Sequence, residues 1–247
     1  MNDVSIVAVD TKSNESCNSV AVKHNDIIQN SKYKLDRGSG GSLSVTEQKI
    51  MLYIISKIKH DDTCFEYIEF NIKEFCDVCG INPRDGDRYT RLKECLTKLR
   101  GRTMWLYNPH DGYETTVGWV SKVSLSKRNG TVRVLLDDDL KPYLLNLKGN
   151  FTQIPIADVM RISSKHAITL YELLRSYCYL GSKIKFDIQD LKERLDCSSY
   201  ESFFNFKTKV ITPSVEDINS HTDLCVDVEY IKTGRSYTDV IFTVYSD

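Results

Sequence analysis

The chain has 247 residues, of which 41% are hydrophobic and 27% are charged. This composition is typical of a globular protein, and it excludes a chain that is disordered throughout, a collagen-like repeat and a coiled-coil rod. The 33 basic and 34 acidic residues leave a net charge of −1, so any binding to nucleic acid must depend on local basic patches.

No apolar run approaches the ~20 residues that span a bilayer, and the first ten residues lack the pattern of a secretory signal. We therefore expect a cytoplasmic protein that does not associate with membranes. The eight cysteines are scattered along the chain, which predicts free thiols in a reducing cytosol. Cys76 and Cys79 form half of a zinc-binding pattern, but the sequence has no second C-x-x-C and no close histidine pair. We therefore predict no metal and no cofactor.

The first 42 residues contain little regular pattern. Residues 1–21 are polar and predict a flexible tail, and residues 22–35 predict a short helix. Asp36 to Ser42 (DRGSGGS) is typical of a flexible link, either a natural loop or an engineered linker. Its contrast with the surrounding sequence favours the engineered linker.

The region from Ser44 to Leu147 has the element order of a winged helix. Ser44 and Glu47 form a capping box, which predicts the start of a helix with an apolar face from Ile50 to Ile58. A helix–turn–helix is expected over residues 72–100, and Asn129-Gly130 predicts the turn of the hairpin that forms the wing. The remaining predicted elements are strand Phe65–Ile72, helix Ile72–Cys79, helix Asp87–Arg100, strands Thr103–Tyr107, Thr115–Leu125 and Thr131–Leu136, and helix Asp137–Leu147.

The same order returns in the second half, in element type more than in residue identity. Phe151 to Ile162 is interpreted as an irregular connector, followed by a helix that Ser163 or Ser164 caps. A second helix–turn–helix ends in a long helix, Tyr200–Ile218, in which Pro213 predicts a kink. The remaining predicted elements are strand Lys183–Phe186, helix Ile188–Leu195 and the hairpin strands Leu224–Ile231 and Tyr237–Tyr245. The predicted fold class is therefore α+β, with two tandem winged-helix domains at residues 22–148 and 149–247.

A winged helix reads duplex DNA with its second helix in the major groove, while the wing commonly contacts phosphates. The candidate DNA-binding residues of the second domain are Asn205, Lys207, Thr208 and Lys209 on the helix and Lys232 and Arg235 at the hairpin. The candidates of the first domain are Arg88, Arg91 and Lys98 on the helix and Lys127 and Arg128 at the wing tip. A solvated polar face explains the candidates of the second domain equally well, and favourable charge at a helix C-terminus explains Lys98 equally well.

The motifs of common enzymes are absent. The sequence has no Gly-Lys pair of a phosphate-binding loop, no G-x-S-x-G and no H-E-x-x-H. The five histidines stand apart from one another, which argues against a metal-dependent nicking enzyme. We therefore predict no catalytic residues and no enzymatic activity.

Four segments, in order along the chain, carry a resemblance to a known family. They are Leu43–Ile50 with Leu52–Ile58, then Ala167–Tyr177, then Phe204–Pro213 with Glu216–Asn219, and finally Asp223-Leu224 with Tyr230 and Lys232–Arg235. Together they resemble the iteron-plasmid replication initiators of the Rep_3 or RepB type, over roughly residues 22 to 245.

The resemblance implies a non-enzymatic DNA-binding protein that opens the origin as a monomer on directly repeated sites and recruits the host initiator and replicative helicase. It also implies a homodimer, formed through the first domain, that represses its own gene at an inverted repeat. Lys207, Thr208 and Lys209 lie where the family places its basic recognition run, and Lys232 and Arg235 match its basic hairpin. Arg88 and Arg91 correspond to the first-domain helix, which is assigned auxiliary contacts.

The residues Asp36 to Ser42 depart from the family. In its members, a segment like Tyr33–Leu35 is followed almost directly by the capping box that begins at Ser44. This insertion is expected to loosen the first helix and to change the monomer–dimer balance. Two alternatives to an initiator remain at this stage: a dimeric winged-helix transcription regulator and a strand-nicking Rep or relaxase enzyme.

Overall fold

The computed structural model describes residues 19–32, 42–78, 88–107, 112–178 and 183–246. Several sequence predictions lie outside these ranges. They concern the tail up to residue 18, most of the Gly/Ser segment, Cys79 and the turn of the first helix–turn–helix. Among the described residues, no helix is long and apolar enough to cross a membrane, and no group of three or more His, Cys, Asp or Glu side chains could hold a metal ion.

The first half contains two three-stranded sheets and the helices that pack on them. The elements are β1 (Val20–His24), α1 (Asn25–Gln29), β2 (Ser31–Lys32), α2 (Val45–Ile55), β3 (Ile68–Asn71), α3 (Ile72–Val78), α4 (Arg88–Arg100), β4 (Thr103–Tyr107), β5 (Glu114–Gly118), β6 (Val120–Ser126), β7 (Thr131–Leu136), a 3₁₀ turn (Asp138–Leu140) and α5 (Lys141–Leu144). One sheet has the order β2-β4-β5 and the other the order β3-β7-β6, with all neighbours antiparallel.

Two local signals in this half are confirmed. The Ser44 hydroxyl accepts from the Glu47 backbone N–H at 3.3 Å, and the Glu47 carboxylate accepts from the Ser44 backbone N–H at 2.8 Å, which completes the capping box at the start of α2. Gly130 closes the β6–β7 hairpin with a φ of 63°, a left-handed conformation that favours glycine.

The single strand predicted over Thr115–Leu125 is wrong, because the chain changes sheet within it. β5 pairs with β4, whereas β6 pairs with β7. The break falls at Trp119, whose side chain is buried and whose carbonyl accepts from the Asp137 backbone N–H at 3.3 Å. Gly118 allows the close approach, since a Cβ there would lie 3.0 Å from the Asp137 carboxylate. The helix predicted from Asp137 to Leu147 is correspondingly reduced to the short turn and α5.

The second half contains a three-stranded antiparallel sheet with helices against it. The elements are β8 (Phe151–Pro155), α6 (Ile156–Arg161), α7 (Lys165–Tyr177), β9 (Lys183–Asp187), α8 (Ile188–Arg194), α9 (Phe203–Phe206), a π-helical stretch (Lys207–Ile211), α10 (Thr212–His221), β10 (Leu224–Thr233) and β11 (Ser236–Ser246). The strand order of the sheet is β10-β11-β9. Ser164 caps α7 as expected, with its hydroxyl accepting from the Ala167 backbone N–H at 3.5 Å.

The irregular connector predicted over Phe151–Ile162 is wrong. Its first part is β8, which pairs antiparallel with β1, and its second part is α6. The pairing also shows regular structure within the predicted tail, because Val20 and Ala21 belong to β1. A local pattern cannot show this, since the partner strands are more than 120 residues apart in sequence.

The two halves share a polar seam and one continuous apolar core. Lys23 on β1 forms an ion pair with Glu172 on α7 at 2.6 Å, with side chains that are 8% and 12% exposed. Gln48 on α2 donates to the Thr169 hydroxyl at 2.9 Å. Ser42, the one described residue of the Gly/Ser segment, donates to Asp196 at 2.7 Å. The start of α2 is therefore tied directly to the second half.

Candidate nucleic-acid interface

The second-half helix that the sequence assigned to DNA recognition is continuous from Phe203 to His221, with a wider π-helical stretch in its middle. Phe206, Val210 and Ile211 are buried, at spacings of four and five residues, and a π turn keeps such residues on one face. Pro213 lies two residues after the end of this stretch. Because proline lacks an N–H and its ring clashes with the carbonyl four residues earlier, a wider turn here accommodates it. The predicted distortion is thus present, but as a π stretch that precedes the proline.

The outward face of this helix is formed by Phe204, Asn205, Thr208 and Lys209, all of which are exposed. The Thr208 hydroxyl donates to the Phe204 carbonyl at 2.8 Å, so its remaining capacity is as an acceptor. These side chains offer amide, hydroxyl and ammonium groups to a ligand that approaches the helix from solvent.

Three aromatic rings, which we call the aromatic clasp, fix the hairpin β10–β11 to the start of the helix. Phe203 stacks on Tyr237 with ring centroids 4.3 Å apart and meets Tyr230 edge-on at 5.4 Å. Tyr230 and Tyr237 also meet edge-on at 6.3 Å. Burial raises the pKa of the Tyr230 hydroxyl against the opposing effect of its hydrogen bond with Thr212.

Two of the predicted lysines lie over this clasp. The Lys207 ammonium is 4.4 Å from the Tyr230 ring centroid, and the Lys232 ammonium is 4.5 Å from that of Tyr237. Cation–π attraction of this kind is worth roughly 0.5–1 kcal/mol at exposed sites and restricts where the two charges lie. The clasp therefore favours positions close to its rings for one cation of the helix and one of the hairpin.

The hairpin tip carries the remaining predicted cation of this half. Gly234 has a φ of 64° in the turn between β10 and β11. The next residue, Arg235, is exposed to solvent at the tip of the hairpin. Arg235 is thus placed where the wing of a winged helix meets a DNA backbone.

The first half has the corresponding parts. Arg91 and Lys98 are exposed on α4, and Arg128 is exposed in the turn of the β6–β7 hairpin. The Lys127 ammonium lies 5.9 Å from the ring of Tyr89 near the start of α4, so the wing tip again meets its helix through a cation and a ring. Arg88 is the first residue of α4, and its side chain lies outside the described structure.

The comparison with known protein families decides the identity of these two halves. Residues 20–175 match the family described as "Initiator Replication protein, WH1", and residues 187–244 match the family described as "Initiator Rep protein, WH2". The chain belongs to the Rep_3 initiator family. This confirms the resemblance found in the sequence and the fold class of two tandem winged-helix domains, and it implies that the protein binds DNA.

Two solved structures are similar to this Rep_3 initiator, and both are titled as domains 2 and 3 of RctB. The first, of selenomethionine derivatives, has a TM-score of 0.49 at 11% identity, and the alignment covers 85% of this chain and 85% of that chain. The second, which comprises RctB residues 155–483, has a TM-score of 0.44 at 10% identity, with 83% of this chain and 84% of that chain covered.

The WH1 match continues beyond residue 148, where we predicted the boundary between the two domains. That boundary stays a prediction, as do the individual DNA-binding roles. In each half of the Rep_3 initiator, the candidate DNA-binding residues whose side chains the structure describes lie on one helix and one hairpin.

The sequence analysis missed the aromatic half of the WH2 site. Tyr237 is paired with Lys232 on the neighbouring strand of the hairpin, and Tyr230 lies two residues before Lys232. Phe203 stands four residues before Lys207. Aromatic residues spaced in this way near a basic tip are the signal that was available. Phe204 was also missed. Full burial of a phenylalanine side chain stabilises a fold by roughly 1.5–3 kcal/mol relative to an exposed one. The ring of Phe204 is exposed and therefore lacks most of this stabilisation.

Proposed function

We propose that this Rep_3 initiator starts plasmid replication by binding directly repeated origin sequences as a monomer. In this proposal the WH2 helix enters the major groove, and the hairpin tip with Arg235 contacts the adjacent phosphates. WH1 contributes auxiliary contacts through α4 and its own wing.

The observation that carries the proposal is the aromatic clasp of WH2. It places the Lys207 and Lys232 ammonium groups 4.4 and 4.5 Å from two ring centroids of one cluster, beside the exposed face of Asn205, Thr208 and Lys209. Cations close to amide and hydroxyl groups support reading of base edges together with phosphate contacts. Since residues 149–247 contain 11 basic and 14 acidic residues, the DNA must be attracted by this local patch and not by the charge of WH2 as a whole.

After binding, the proposed initiator helps to open the duplex and recruits the host initiator and the replicative helicase. As a homodimer formed through WH1, it binds an inverted repeat and represses its own gene. These activities are proposed from membership of the family and have no catalytic step.

The test is footprinting on the candidate origin DNA of the plasmid at about 150 mM salt, with random duplex as competitor, because salt weakens non-specific binding steeply. We expect a series of regularly spaced protected repeats. Permanganate reactivity of unpaired thymines, measured with the host initiator present, is expected to reveal opening next to these repeats. A Lys209→Ala variant is the matched probe, and Lys148→Ala, which removes an exposed lysine in the loop before β8, is its control.

The other outcomes separate the alternatives. Protection of a single inverted repeat without opening would favour the dimeric transcription regulator. Protein covalently attached to a cleaved strand would favour the nicking enzyme. The absence of any specific protection would contradict the proposal.

A further inference from the structure

Phe204 is an apolar ring on an otherwise polar surface of the WH2 helix. It is 69% exposed, which makes it the most exposed phenylalanine among the described residues. Its neighbours on the outward face are Asn205, Thr208 and Lys209. The ring lies within the first turns of the helix, where winged and helix–turn–helix proteins contact base edges.

The fold does not use this ring. Phe203 makes the contact with the hairpin, and Phe206 fills the core with none of its surface exposed. Within the part of the chain that the structure describes, Phe204 has no ring partner. Its backbone is nevertheless well fixed, because its carbonyl accepts from the Thr208 hydroxyl at 2.8 Å and the preceding residue belongs to the aromatic clasp.

The surroundings of Phe204 select the kind of ligand. A protein-docking surface needs a contiguous apolar patch, whereas this ring is flanked by polar and charged side chains. In the major groove the one apolar group on a base edge is the C5-methyl of thymine, and phenylalanine is among the side chains that contact it. Asn205 beside it has the amide that pairs with adenine, so the two residues suit neighbouring positions of an A·T-containing site.

We propose that Phe204 packs against the C5-methyl of one thymine in each origin repeat and makes the choice of site depend on that methyl. This inference rests on the proposed function, since it requires WH2 to read the repeats through the major groove. It adds an apolar specificity residue to a site that is otherwise basic and polar.

The experiment replaces each thymine of one protected repeat in turn by deoxyuridine, which removes the methyl group and keeps the base pair. Affinities are measured for the full chain and for the variants Phe204→Ala and Phe204→Leu. Tyr245→Ala is the matched control, because Tyr245 is a 51% exposed aromatic at the end of the hairpin opposite its tip. Binding to random duplex is measured for every variant.

We expect one thymine at which deoxyuridine weakens binding by the unaltered protein about fourfold, the factor that corresponds to burial of one methyl group. Phe204→Ala should be insensitive at this position and retain its sensitivity elsewhere. Phe204→Leu should keep part of the discrimination, and Tyr245→Ala should keep all of it.

Equal losses for the unaltered protein and Phe204→Ala at every thymine would overturn the inference, even if the repeats are still protected. A Phe204→Ala variant that loses affinity for random duplex as strongly as for the repeat would also overturn it. If the unaltered protein protects no repeat at all, the proposed function fails first, and the inference fails with it.

Discussion

The ring of Phe203 stacks on the ring of Tyr237, with centroids 4.3 Å apart and an angle of 25° between the planes. Phe203 begins the WH2 helix and Tyr237 lies next to the hairpin tip, so this contact sets the position of the wing relative to the helix. The two elements that we propose to contact one DNA site are therefore joined within the protein itself.

Replacement of Tyr237 by alanine is expected to lower the free energy of unfolding by about 1–2 kcal/mol. An aromatic pair contributes roughly 0.5–1.5 kcal/mol beyond its buried area, and the Tyr237 side chain is partly exposed. Specific DNA binding should weaken as well, because Lys232 loses the ring that orients it. Urea denaturation and repeat binding measure the two effects. Tyr245→Ala should change each far less, and equal effects of the two variants would contradict the role of the clasp.

The two kinds of cation in WH2 should respond differently to removal. Lys209→Ala is expected to weaken binding to the repeat more than binding to random duplex, since Lys209 lies on the exposed helix face. Arg235→Ala should weaken binding to the repeat and to random duplex alike. It should also reduce the slope of the logarithm of the binding constant against the logarithm of the salt concentration by about 1, the effect of losing one phosphate contact. Binding titrations over a range of salt concentrations distinguish the two patterns. If Lys209→Ala weakens both equally, Lys209 is only a phosphate contact.

Glu47 links stability to pH. Burial alone would raise the pKa of its carboxyl group, but hydrogen bonds from the Ser44 backbone and from Arg102, 3.3 Å away, outweigh burial and hold the pKa below its ordinary value of 4.5. A depressed carboxyl pKa stabilises the fold above the unfolded pKa, and this contribution is lost as the pH falls through the folded pKa.

Glu47→Gln is therefore expected to lower the free energy of unfolding at pH 7 by about 1–3 kcal/mol and to remove part of the decline below pH about 4.5. Urea denaturation between pH 3 and 7 measures both. Glu69→Gln is the control, because the Glu69–Arg133 pair is exposed and contributes at most about 1 kcal/mol. An unchanged acid profile in Glu47→Gln would contradict this account of the capping box.

The ion pair between Lys23 and Glu172 joins the first and second halves with little contact to water. Glu172→Gln leaves the Lys23 ammonium buried beside Trp119, at 5.7 Å from its ring, without a carboxylate partner. We expect it to lower the free energy of unfolding by about 3–5 kcal/mol. The double variant Lys23→Met, Glu172→Leu should recover much of this loss, because it buries no charge.

The control for this pair is Asp138→Asn, which breaks the exposed Lys141–Asp138 pair and should change stability by less than about 1 kcal/mol. If Glu172→Gln and Asp138→Asn have the same small effect, the seam between the halves does not depend on the buried pair.

The sequence alone determined the features that depend on neighbouring residues. The Ser44–Glu47 capping box, the Asn129-Gly130 turn and the strand Thr103–Tyr107 are all confirmed, because caps, tight turns and alternation follow from short-range geometry. Four ordered segments were also enough to identify the family and its tandem winged helices. Three of the residues that the sequence placed near the start of the WH2 helix, Asn205, Thr208 and Lys209, are exposed on it.

Only the tertiary structure decided which distant segments meet. The β1–β8 pair joins residues on either side of the whole first winged helix. The change of sheet at Trp119 involves a backbone hydrogen bond from Asp137, the residue that follows β7. The sequence did not predict the aromatic partners of Lys207 and Lys232. The two tyrosine rings lie beside these lysines only when the hairpin packs against the helix. Local sequence sets what each segment can form, whereas burial of apolar surface and pairing of backbone groups across the chain set where the segments lie.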